Sequence, residues 1–137
     1  MTTQVFLMLD MTSSMQANKQ ATMDACNEFV EGLKADPHTK DFLFSLALFN
    51  SNIGVERVVD GVQLDRAQKL DHEHYQPTGA TPLYDAMWQS MDLLEGHQGQ
   101  VLFIVQTDGE ENNSTIATRQ QIVGRVAEKT AAGWQFV

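Results

Sequence analysis

Two unbroken apolar runs organise this chain, Val5-Phe6-Leu7-Met8-Leu9 near its start and Val101-Leu102-Phe103-Ile104-Val105 towards its end. Neither alternates with polar residues, which predicts strands buried on both faces, as in parallel sheets covered by helices. The first strand falls at Gln4–Leu9 and the later one at Gln100–Gln106. Within a helix expected from about Met15 to Lys34, Cys26, Phe29, Val30 and Leu33 follow the i, i+3, i+4, i+7 spacing of one face. Asp36-Pro37-His38 ends it. Phe42–Phe49 predicts a second strand and Ile53–Val62 a third, joined only by Asn50-Ser51-Asn52. A parallel return needs about a dozen residues, so this pair is an antiparallel hairpin. Glu56, Arg57 and Asp60 give the third strand the polarity of a sheet edge.

Leu64–Tyr75 is polar, lacks periodicity and reads as loop with at most one helical turn. Pro82–Leu94 predicts a second helix burying Leu83, Ala86, Met87, Met91 and Leu94, with Thr81 as N-cap and Pro82 as first residue. A third helix, Ile116–Ala132, ends at Gly133, and Trp134-Gln135-Phe136-Val137 opens a fifth strand. Such alternation predicts an α/β fold: a doubly wound, mostly parallel, Rossmann-like sheet with one antiparallel edge strand. The 137 residues make a single domain. It stops in mid-strand, which leads us to expect a truncated carboxyl terminus lacking a last helix and strand.

Charge and cysteine content change this picture only by exclusion. Nine Lys and Arg against 18 Asp and Glu leave a formal charge of −9, unsuited to neutralising phosphates, so no nucleic-acid partner is expected. The single cysteine, Cys26, excludes an intrachain disulfide and a cysteine zinc cluster, and reads as a packed helical thiol. Met1-Thr2-Thr3-Gln4 lacks the basic start of a secretory signal, and no window approaches the ~20 apolar residues of a membrane span. The expected setting is cytoplasmic, with no membrane partner. His72-Glu73-His74 lacks a convincing third ligand and reads as solvated loop rather than zinc site. Trp88 and Trp134 read as packing residues, Asp85 as a partner of the helix dipole or a support to the site, and Glu110-Glu111-Asn112-Asn113 as solvated rim. The sequons at Asn112 and Asn113 are idle without secretion.

Candidate chemistry lies in three remote segments: Asp10-Met11-Thr12-Ser13-Ser14, Thr78-Gly79-Ala80-Thr81-Pro82 and Thr107-Asp108-Gly109-Glu110. The first and third follow strand carboxyl ends, which a doubly wound sheet gathers at one crevice. Asp10, Thr12 and Ser14 stand on alternate residues and point to a common side. With Thr81 and Asp108 they would form an all-oxygen pocket suited to a hard divalent cation. Taken alone, Thr81 reads as a cap and Asp108 as a turn former; taken together, the five read as a metal site.

Asp10-x-Thr12-x-Ser14, Thr81 in a glycine-containing loop and Asp108-Gly109 resemble the metal-ion-dependent adhesion site of von Willebrand factor A (vWA) domains. The resemblance covers the whole chain in order and spacing. It departs at Thr12, where the family has its first serine, and at the missing terminal helix and strand. It implies a vWA fold in which Thr12, Ser14 and Thr81 ligate Mg²⁺ directly while Asp10 and Asp108 act through water. Manganese or calcium could substitute. It further implies a non-catalytic module whose metal captures an Asp or Glu carboxylate of a protein partner.

Two other functions compete. Haloacid-dehalogenase-type phosphatases also begin with Asp after the first strand, but their Asp-x-Asp has Thr12 here, which cannot donate a proton near neutral pH. In the third, the chain is a structural or assembly subunit whose metal is incidental; neither partner identity nor oligomeric state is written in the sequence.

Overall fold

The computed structural model describes residues 2–108 and 111–137, so the Gly109-Glu110 part of the third segment, and Met1, lie outside the described residues. Its order is β1 (Gln4–Asp10), α1 (Lys19–Ala35), β2 (Leu43–Asn50), β3 (Gly54–Gln63), α2 (Leu83–Leu93), β4 (Val101–Gln106), α3 (Arg119–Ala131) and β5 (Gln135–Phe136). The five strands run β3-β2-β1-β4-β5. β1 pairs in parallel with β2 and β4, β4 with β5, and among the described residues only β2–β3 is antiparallel. The chain leaves β1 for one side and returns as β4 on the other. The strand order thus reverses at the carboxyl ends of β1 and β4, where α/β sheets place their crevices.

Apolar residues of both strand faces divide into two layers. Val5, Leu7, Leu9, Phe44, Leu46 and Leu48 pack with Met23, Cys26 and Val30 of α1. Phe6, Met8, Ala47, Phe49 and Phe103 pack with Ala86 and Met91 of α2 and Ile122 of α3. β1 is buried along its whole length, as an unbroken apolar run requires. Among the described residues, no helix is long and apolar enough to cross a membrane.

Several boundaries differ from the sequence expectation, each for a local reason. The first helix opens as a 3-10 segment, Ser13–Asn18, and becomes α-helical only at Lys19. Its opening turn must follow the crevice loop, to which the Ser13 N–H is tied at the Gly79 carbonyl (3.0 Å). Thr81 is not the cap of α2: Pro82 holds that position, without a side-chain capping bond. The third helix begins at Arg119 rather than Ile116, because Thr118 forms a capping box with Gln121 while the N–H groups of Ile116 and Ala117 go to Asp85. The fifth strand shrinks to Gln135–Phe136.

Arg125 fastens α3 to α2. It donates to the Trp88 carbonyl (3.0 Å), Asp92 (2.7 Å) and Glu95 (2.9 Å), with its guanidinium 4.4 Å from the Trp88 ring centroid. Both Trp88 and Trp134 are packing residues, as their sequence context suggested. Arg125→Ala should cost about 1–2 kcal/mol in urea unfolding, the sum of a cation–π contact and partly exposed ion pairs. A change below the error of the measurement would mean that the network contributes nothing.

Candidate functional site

β1 ends in a carboxylate that serves as a hub. The Asp10 side chain, fully buried, accepts the Thr12 N–H on Oδ1 (2.7 Å) and the Thr107 hydroxyl on Oδ2 (2.6 Å). Its own carbonyl accepts the Tyr75 hydroxyl at 2.6 Å. Burial first, and the Asp10 charge second, push the Tyr75 phenol far above its ordinary pKa, so it is a permanent donor. Bonding of the Thr12 N–H back to Asp10 turns the chain immediately after the strand.

From this hub the cluster runs outward to solvent. The hydroxyls of Thr12 and Ser14 lie 3.2 Å apart, and Ser14 donates to Asp108 Oδ1 at 2.9 Å. Thr12 is buried, whereas Ser14 and Asp108 are exposed. Four of the five candidate residues are therefore linked through hydrogen bonds. Thr81, 4% exposed, has no hydrogen bond to these four; its loop is tied to them by backbone bonds of its neighbours, Thr78 N–H to the Met11 carbonyl (3.1 Å) and Ser13 N–H to the Gly79 carbonyl. The Thr81 hydroxyl caps no helix, and the residue is held by Asn112, whose side chain accepts its N–H (2.8 Å) and whose own N–H bonds its carbonyl (3.0 Å).

The donor set is two carboxylates and three hydroxyls, all oxygen. The Thr12–Ser14 (3.2 Å) and Ser14–Asp108 (2.9 Å) contacts are hydrogen bonds that set three of these oxygens side by side, and an all-oxygen donor set is the chemistry a small hard cation takes. Among the described residues no three His, Cys, Asp or Glu side chains converge, which excludes there a site built from carboxylate, imidazole and thiolate alone. His74 instead pairs with Asp71 (2.6 Å) on the surface.

Residues that the sequence did not single out hold the site together. Asn50 accepts the N–H groups of Asn52 and Ile53 (2.9 Å each) and donates to the Met11 carbonyl (3.0 Å), tying the hairpin turn to the crevice. Ser51 Oγ accepts the Ala80 N–H at 2.8 Å. Asp85, expected to partner the helix dipole or support the site, lies in the first turn of α2 and also anchors a loop. Its carboxylate accepts the N–H groups of Thr115, Ile116 and Ala117, all at 2.8 Å. Burial works to raise the Asp85 pKa, but those bonds outweigh it and hold the carboxyl below its ordinary range. Asn50 and Asn112 had a signal of sorts, since Asn in turns bonds nearby backbone; their long-range targets had none.

No family model and no curated protein matches this sequence. Solved structures do. The vWF domain of the type V pili tip protein Mfa5 from Porphyromonas gingivalis aligns with a TM-score of 0.62 at 16% identity, over 87% of this chain and 43% of that one. Proximal thread matrix protein 1 from the mussel byssus aligns at 0.68 and 16%, over 99% and 37%. The PilB minor pilin from Streptococcus sanguinis aligns at 0.61 and 18%, over 80% and 30%. This chain spans less than half the length of each. The fold is vWA-like.

Proposed function

We propose that this chain is a non-catalytic, divalent-cation-dependent protein-binding module. Asp10, Thr12, Ser14, Thr81 and Asp108 would hold Mg²⁺, with Mn²⁺ or Ca²⁺ as substitutes. The observation that carries this reading is the hydrogen-bonded run of hydroxyls and carboxylate from Thr12 through Ser14 to Asp108, all oxygen and exposed at its outer end. Neutral hydroxyls leave much of a cation's charge uncompensated, so the bound metal supplies an electrophilic vertex for an outside Asp or Glu. Thr12 and Ser14 orient that vertex and Asp10 fixes their loop. Similarity in fold to a pilus-tip protein, a minor pilin and a thread matrix protein is consistent with adhesion or assembly. The phosphohydrolase alternative gains no support: Thr12 occupies the position where an acid would stand.

Millimolar Mg²⁺ or Mn²⁺ should raise the Tm. At tenfold excess over Kd the stabilisation is about 1.4 kcal/mol, or roughly 3–6 °C for a domain of this size. Thr81→Ala and Asp108→Ala should each abolish the increase, and a melting curve unaltered by metal would sink the proposal. The same neighbours also favour an assembly subunit with an incidental metal. In that case the Tm rises but chelation leaves partner retention intact, whereas a metal-bridged partner is released.

A further inference from the structure

Away from the crevice, a half-open cavity of about 340 Å³ lies under β3, floored by Leu46, Val58, Val59 and Val62 and bordered by Arg66 and Lys69. Its floor exists because β3 departs from regular pairing. The partner of Leu46 is Val59, that of Ala47 is Arg57 and that of Phe44 is Val62, so β3 carries an extra residue on each side of Val59. Strict alternation would send Val58 and Val59 to opposite faces. The bulges turn both, with Val62, against the α1 layer. Gly61, at φ +59°, makes the second kink, and its N–H goes to the Ser45 hydroxyl (2.7 Å).

The opposite wall is the 64–75 segment, which is fixed despite having little secondary structure. Lys34 donates to the Ala67 carbonyl (2.8 Å), while Asn27 donates to the Leu70 carbonyl (3.1 Å) and accepts its N–H (2.8 Å). Ligand cavities are commonly of this size, apolar and preformed, with a few polar groups at the mouth.

The two cations and two carboxylates at the mouth cancel formally but are not equally engaged. The two acids there are already engaged, Asp60 by Arg57 (2.8 Å) and Asp71 by His74 (2.6 Å). Neither Arg66 nor Lys69 makes a side-chain ion pair or hydrogen bond among the described residues. Lys69 also borders a hollow lined by Asp24, Glu28 and Glu31 and forms an ion pair with none of them. Two cations without ion pairs beside a floor of leucine and valine complement an anion with an apolar body.

We propose that this cavity binds a small amphipathic carboxylate, its chain on Leu46, Val58, Val59 and Val62 and its head group on Arg66 and Lys69. The site is independent of the cation site at the crevice. The test is a titration of the metal-free chain with hexanoate, octanoate and benzoate, followed by amide and methyl NMR, with octanol as the neutral control. The expected result is saturable shifts centred on Leu46, Val58, Val62 and Leu70 for at least one carboxylate. Octanol and the Arg66→Gln/Lys69→Gln double variant should each bind on the order of tenfold more weakly. Both substitutions are at exposed positions, so the variant should keep the wild-type spectrum elsewhere. No saturable shift with any of the three probes, shifts scattered over the chain, or equal binding by octanol or by the double variant would overturn the assignment.

Discussion

Asp85→Ala should lower the stability by about 2–4 kcal/mol, more than any other polar substitution considered for this chain. The carboxylate is 8% exposed and receives three backbone N–H groups at 2.8 Å, from Thr115, Ile116 and Ala117. Alanine leaves all three without an acceptor, and it frees the segment that carries Asn112, the residue that grips Thr81. Asp85→Asn keeps one acceptor oxygen and should lose roughly half as much. The effect also has a pH signature. Because the folded pKa is held below the ordinary carboxylate range, the contribution is present at neutral pH and above the unfolded value. It disappears as pH falls through the folded value. Urea unfolding of wild type and Asp85→Ala should therefore show a wide gap at pH 7 that narrows in strong acid. A gap constant with pH would mean that packing, not the carboxylate, is what the substitution removes.

How much of this could be read from the sequence depended on how far each interaction reaches along the chain. Apolar runs such as Val5–Leu9 report their own burial, and a three-residue turn permits only a hairpin, so strand identity and the antiparallel edge were legible. The segments bearing Asp10 and Asp108 could be assigned to one crevice because strand order in a doubly wound sheet decides where carboxyl ends meet. The cap of α2 falls at Pro82 rather than Thr81, against the local preference for Thr at the cap and Pro at the first helical position. The Thr81 N–H goes instead to the Asn112 side chain, 31 residues away in sequence and invisible to local propensity. The same holds for Ile116 and Ala117, taken for helix by pattern but claimed by Asp85. The bulges of β3 are a third case. Paired exposed and half-buried residues along Gly54–Gln63 blur the alternation, and the pattern read only as a polar edge.

Gly79→Ala should cost about 2–3 kcal/mol and remove the thermal response to Mg²⁺, although residue 79 offers no ligand of its own. Two separate costs add. Gly79 sits at φ +79°, where an L side chain crowds its own carbonyl, at about 1–2 kcal/mol. A methyl there would also lie 2.7 Å from Ser51 Oγ and 3.1 Å from Asn52 Nδ2. Ser51 cannot retreat freely, since its hydroxyl accepts the Ala80 N–H. Either the loop lifts away from Ser13, whose N–H bonds the Gly79 carbonyl, or Ser51 gives up Ala80. Both movements displace Thr81, two residues on. Adding Ser51→Gly to Gly79→Ala removes the nearest contact, but it also removes the Ala80 acceptor and leaves Asn52 and the backbone strain, so it should return only part of the lost Tm. Full recovery in the double variant would show that space alone matters at residue 79. Recovery of stability without the metal response would separate the fold of this loop from its placement of the Thr81 hydroxyl.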